Sequence, residues 1–173
     1  RDIVRSLAVR TEESAFLSVR RGDETVCLMR EEGSFPIRSF VLSEGVRFPL
    51  GVASAGLVIL AMLPDAAVDR YLEGAALAGA ALDRYPGHTP PELRERIAQT
   101  RATGYAVNPG LVVEGSWGMG AAIFDASGQP AWALSLTGIE GRFSAERRPE
   151  LGRMLLEHAH RVRSEEHTSE LQS

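Results

Sequence analysis

Gly115–Gly138 reads GSWGMGAAIFDASGQPAWALSLTG, and its alternation decides the fold class. The stretch predicts a β-hairpin turning at Asp125–Pro130. Asp, Ser and Gly suit a tight turn, and Pro130 can begin a strand but not sit in a central ladder. Successive strand residues face opposite ways. Trp132, Leu134 and Leu136 therefore share a face on the second arm, as do Met119, Ala121 and Ile123 on the first. The other face carries Gly118, Gly120 and Ala122, then Ala131, Ala133, Ser135 and Thr137. The bulky side fits a core under helices. The small side either admits another backbone at close range or leaves room for a ligand, with Ser135 and Thr137 offering hydroxyls. Interiors fill their voids, so alternation by itself favours close packing.

The whole chain sets the bounds. Its 173 residues, 44% hydrophobic, suffice for one domain with a sizeable core. No apolar run reaches transmembrane length. The first residues are charged, begin with Arg rather than Met, and carry no secretory leader. A soluble, cytoplasmic fragment of a longer protein is expected. Net charge is −4 and every one of the 19 basic residues is Arg, so this segment has no basic footprint for nucleic acid. Cys27 stands alone, which rules out an internal disulfide and fits a reducing compartment. His88, His158, His160 and His167 lack the company of metal ligands, so neither metal nor cofactor is expected. Arg163–Ser173, RSEEHTSELQS, reads like a translated sequencing adapter. It is set aside as a non-native tail, with the true C-terminus expected to be missing.

The rest of the chain reads as mixed elements. Val4, Leu7 and Ala8 predict a helix over Arg1–Arg10, the end of a linker helix. Ala15–Arg20 and Thr25–Glu31 read as strands joined by a turn at Arg21–Glu24, and Ile37–Leu42 as a possible third strand. Glu44–Leu50 reads as irregular. Ser54 is a candidate N-cap for an apolar helix through Leu63. Free amides at its start would suit an anion if a pocket lay above them; the same residues equally suit an ordinary buried helix. Pro64 starts the next helix, with Val68, Tyr71 and Leu72 on one face, and Glu73–Ala81 is a soft helix or loop. Thr89-Pro90-Pro91-Glu92 is a helix start with a capping box, ending at Gly104. Tyr105–Asn108 begins a strand, and Gly138–Arg142 reads as a loop. The last helix, entered near Pro149, turns Leu151, Met154, Leu155, His158 and Val162 to one side.

Four separated stretches together resemble the effector-binding domain of IclR-type transcription factors: Gly22–Gly33, Arg47–Ala61, Leu93–Asn108 and Gly115–Gly138. The resemblance covers residues 1–162. It implies an α/β (α+β) domain of the GAF/profilin-like group: a curved antiparallel sheet with flanking helices and a small ligand on the concave face. That favours the pocket over close packing. It also implies a winged helix-turn-helix before this segment, so that DNA is met only through the missing domain, and a homodimer or dimer of dimers. Carried over by position, the ligand would meet the Ser54-Ala55-Gly56 backbone, Asn108, Gly118, Ser135 and Thr137, with Phe40 and Phe48 as an apolar wall. The chain departs from the family pattern, which often has Asp at Asn108, Cys at Gly118, Ser at Thr137, Pro at Ala122 and Lys at Leu57. Free amides, paired hydroxyls and an uncharged Asn point to a small carboxylate effector. Two other functions remain open. One is a dimerisation module with a filled core. The other is a hydrolase using Ser54 or Ser135, for which no base is placed.

Overall fold

The computed structural model describes residues 2–37, 42–74 and 84–172, with side chains described to Val162. Helix α1 (Asp2–Thr11) leads into β1 (Ser14–Arg21) and β2 (Glu24–Glu31). A short strand β3 (Arg47–Pro49) precedes α2 (Ala53–Ala61) and α3 (Asp65–Glu73). Helix α4 (Pro90–Thr103) and β4 (Ala106–Pro109) then enter the hairpin of β5 (Ser116–Phe124) and β6 (Pro130–Ile139). A 3₁₀ turn (Glu140–Arg142) connects to α5 (Arg148–Gln172).

The six strands form one curled antiparallel sheet in the order β3-β2-β1-β6-β5-β4. The first strand thus pairs with the last, and register carries the hairpin's alternation across the sheet. One row runs Asn108, Gly118, Thr137, Ser14; the next runs Ala106, Gly120, Ser135, Phe16. The bulky face, with Met119, Ala121, Ile123, Leu134 and Leu136, packs under α1 and α5. The small face receives α2, which α3 and α4 cover from outside.

Close approach explains the small residues. A Cβ on Gly120 would stand 3.0 Å from the Ser54 carbonyl oxygen and 3.2 Å from its carbon. Helix α2 is apolar all round, as a helix enclosed on every side must be. Leu57, Val58, Ile59 and Leu60 are each at most 1% exposed, contributing roughly 1.5–3 kcal/mol apiece. That far exceeds the strain of Ala53, held at φ +60°, which costs about 1–3 kcal/mol. Arg101 of α4 seals the other end of α2. Its Nε donates to the Ala61 carbonyl at 2.7 Å and its Nη2 to that of Leu63 at 2.9 Å.

Several expected features hold. Thr89 accepts the Glu92 amide, and Gly104 ends α4 in the left-handed conformation at φ +90°. Glu92 closes its side of the cap by accepting the Thr89 hydroxyl, at 2.8 Å. Other features differ. Ser54 is not the N-cap: Val52 holds that position without a side-chain bond, and the Ala53 conformation puts Ser54 inside the first turn. The third strand is Arg47–Pro49, from the stretch read as irregular. Pairing Thr25 with Phe48 needs only main chain, and Pro49 lies on the edge strand, where a missing N–H is tolerated. Ile37 and Leu42 are not in a strand. The remainder of that expected strand, with Phe40, lies outside the described residues, as does Ala75–Ala81. The expected loop at Gly138 is strand as far as Ile139.

Two polar contacts tie α1 and its C-terminal end to α5 and the segment just before it. His158 is fully buried, its Nδ1 2.7 Å from the Met154 carbonyl. Its Nε2 is 3.1 Å from the Ser6 hydroxyl and 3.2 Å from Arg161. With Nδ1 donating to the carbonyl, Nε2 accepts both. At the other contact Glu13, 2% exposed, is paired with Arg142 at 2.5 Å and Arg147 at 2.8 Å. Arg147 also donates to the Thr11 carbonyl at 2.5 Å.

Two predictions follow from this packing. Gly120→Ala should destabilise by about 1–3 kcal/mol in urea titration, the usual cost of overpacking. Gly118→Ala should cost less, because its added Cβ meets the Ser54 hydroxyl, at 3.0 Å, and a side chain can yield where backbone cannot. Burial holds the His158 imidazole below its ordinary value, with Arg161 and Arg10 adding to the shift against opposing help from the Met154 carbonyl and Glu157. His88 is lowered in the same way, chiefly by burial. The unfolded chain therefore binds more protons as pH falls. Stability should be complete above the ordinary histidine pKa of about 6.5 and decline below it. Urea midpoints at pH 7.5 and 5.5 would check this, with a shallower decline in His158→Gln.

Candidate functional site

A small pocket of about 30 Å³ opens on the concave face where α2 begins. Its roof is the first turn of α2: Ala53, Ser54 and Ala55. The Val52 amide is taken by Pro49, at 3.1 Å. The next three amides precede the first intrahelical bond and are free to face a ligand at the positive end of the helix. The left-handed Ala53 is what turns the chain into the helix at this point.

The floor comes from both halves of the sheet. Asn108, Gly118 and Thr137 contribute neighbouring positions of one row across β4, β5 and β6. Ser18, Thr25 and Cys27 contribute from β1 and β2. Leu42, Val46, Phe48 and Val112 close the side. Phe48 is held by Tyr85, edge to face at 6.0 Å, and Tyr85 by His88 at 6.1 Å.

Polar groups here lack partners. Thr137 Oγ1 is buried without a hydrogen bond among the described residues; Ser14 Oγ and Ser135 Oγ, which do not line the pocket, are buried and unpaired as well. The side chains of Ser18, Thr25, Ser54 and Asn108 are each at least nine-tenths buried and likewise make no hydrogen bond among the described residues. Burial pushes the Cys27 thiol up to about 11, with the charge of Glu44 adding to it. It is therefore a neutral thiol at neutral pH, 3.6 Å from the Met29 carbonyl. No group of three or more His, Cys, Asp or Glu that could hold a metal occurs among the described residues.

The expected site residues divide. Ser54, Ala55, Asn108, Gly118, Thr137 and Phe48 come together around the pocket. Gly56 instead packs against the chain before α2, where a Cβ would lie 3.1 Å from the Pro49 carbonyl oxygen. Ser135 sits in the Gly120 row, fully buried and away from the pocket lining. Phe40 lies outside the described residues. Ser18, Thr25 and Cys27 were not anticipated. Their polar side chains at alternate positions on two paired strands were the available signal, but only the long-range pairing of β1 with β6 brings them opposite the hairpin.

Comparison with known proteins shows the fold and its family. A family model described as the bacterial transcriptional regulator IclR C-terminal domain matches residues 1–164. The chain belongs to the IclR C-terminal family. The IclR of Thermotoga maritima superimposes with a TM-score of 0.84 at 27% identity, covering 95% of this chain and 65% of that one. The HTH-type transcriptional regulator KipR of Bacillus subtilis is 27% identical over 153 residues, 86% of this chain and 58% of the relative. The Pca regulon regulatory protein of Pseudomonas putida is 32% identical over 130 residues, 75% of this chain and 44% of the relative. The chain spans about half the length of these two curated relatives. Members of the IclR family matched here are transcriptional regulators, not enzymes. Neither Ser54 nor Ser135 is hydrogen-bonded to a base among the described residues. No helix among the described residues is long and apolar enough to cross a membrane.

Proposed function

We propose that this IclR-type domain senses a small carboxylate for a DNA-binding regulator. One observation carries the reading: free amides of α2 and several buried, unpartnered polar side chains converge on one pocket. An unpaired buried polar group costs roughly 1–3 kcal/mol, and a cluster of them is a standing demand for hydrogen-bonding atoms. A carboxylate supplies acceptors to the amides, to the hydroxyls of Ser54 and Thr137 and to the Asn108 amide. Binding at the start of α2 would stabilise whichever arrangement of the whole regulator presents these donors best. In this reading DNA is contacted by a winged helix-turn-helix preceding Arg1, and the regulator works as a homodimer or dimer of dimers.

Calorimetric titration with acetate, hexanoate, benzoate and adipate tests the site. At least one acid should bind. Gly118→Leu, confirmed folded by circular dichroism, should bind it at least tenfold more weakly because its side chain enters the pocket. Thr137→Val keeps the shape and removes one hydroxyl, and should cost about tenfold, or 1.4 kcal/mol. Unchanged affinity in both folded variants would place the site elsewhere. A mobility-shift assay at physiological salt tests the division of labour. The chain alone should show no nanomolar, sequence-dependent DNA binding.

A further inference from the structure

On the convex face, His158 joins two helices through both of its ring nitrogens. Nδ1 meets the Met154 carbonyl, one turn back on α5, at 2.7 Å. That bond makes Nδ1 the donor and leaves Nε2 a bare lone pair. Two donors share the lone pair: the Ser6 hydroxyl of α1 at 3.1 Å and the Arg161 guanidinium of α5 at 3.2 Å. The contact in this form needs a neutral ring. His158 is 0% exposed, with Ser6 closing its α1 side.

A proton on Nε2 reverses the contact. The nitrogen becomes a donor facing a guanidinium that can only donate. Two like charges then share a buried corner, and the groups around the ring do not offset this. Arg161 on α5 and Arg10 on α1 oppose a further cation, as does burial itself. Glu157 favours one, but its carboxylate is already paired with Arg153. Moving Ser6 and its turn of α1 away uncovers Nε2 to water and takes Arg10 with it. The other end of α1 carries no such sensitivity. There the Thr11 carbonyl accepts from Arg147 at 2.5 Å, and neither group titrates near neutral pH.

We propose that His158 is a proton latch: its neutral ring holds the N-terminal half of α1 against α5, and a proton on Nε2 releases that half while the contact of Thr11 with Arg147 keeps the helix tethered. A helix of 10 residues is marginal in water without its support, so the released half melts. In the regulator proposed above this end of α1 leads to the DNA-binding domain, and acid would slacken the link between the two parts. The latch itself needs no effector and stands apart from the carboxylate reading.

Amide hydrogen exchange of the 173-residue protein tests this, read residue by residue by NMR and corrected for intrinsic rates. The open form takes up its proton at the ordinary histidine value of about 6.5 while the latched form stays neutral, so opening becomes about tenfold easier between pH 7.5 and 5.5. Protection of the Ser6–Arg10 amides should fall by that factor. At both pH values it should lie below the protection of Val58–Leu60 in α2. His158→Gln, which cannot take the proton, should hold the α1 fall below about twofold. Arg161→Glu, at an exposed position, gives the imidazolium a carboxylate partner and should likewise remove most of the fall. Circular dichroism confirms which variants fold. Amides of α1 as protected as those of α2 overturn the latch, because α1 then leaves only when the whole domain unfolds. So does a native protein without the fall, or a tenfold fall that persists in either folded variant.

Discussion

The Ser54 carbonyl oxygen stands 3.0 Å from the place a Cβ on Gly120 would occupy. Helix α2 rests on the sheet at that distance, and the concave half of the domain is built on the contact. It lets the sheet seat an apolar helix whose residues from Ser54 to Ala61 are all buried. Those residues give α3 and α4 a surface to cover. It also fixes where α2 begins, since Gly56 packs with similar closeness against the chain at Pro49 and Gly51. Larger residues in the Gly120 row would lift the helix and with it the three free amides.

The pocket begins where the close approach ends. In the Gly120 row, helix backbone fills the space above the sheet. One row along, what lies above Gly118 is the side chain of Ser54 rather than helix backbone, and Thr137 opposite it remains unpaired. Close packing and an open site, which the hairpin's alternation left as alternatives, thus occupy neighbouring rows of one face. The transition takes two residues because that is the period with which a strand returns to the same side.

This division explains how much could be read in advance. The hairpin, its two faces and the cap at Thr89 are local patterns, and they were legible. Six of the nine expected site residues reach the pocket because they lie on the hairpin, its neighbour β4, the start of α2 or the wall at Phe48. Ser135 was not distinguishable from Thr137, since both share a strand face and differ only in what lies above them. Strand β3 was hidden because three residues containing Arg and Pro carry no periodicity, and β2 supplies the ladder. Ser18, Thr25 and Cys27 escaped notice because their role depends on β1 pairing with a strand more than a hundred residues later. Ser54 read as a cap because it has the right side chain; the left-handed Ala53, which no propensity favours, shifted the helix start.

On the opposite face, α1 is joined to the α5 region at two separated places: Ser6 to His158, and Thr11 to Arg147 beside the buried Glu13. The order of these joints makes α1 and α5 antiparallel. A body attached at one point can swivel, but one attached at two can only travel with its partner. Two separated joints leave α1 little freedom to turn apart from the α5 region, and Glu13 with Arg142 joins the same corner to the start of β1 and the turn after β6.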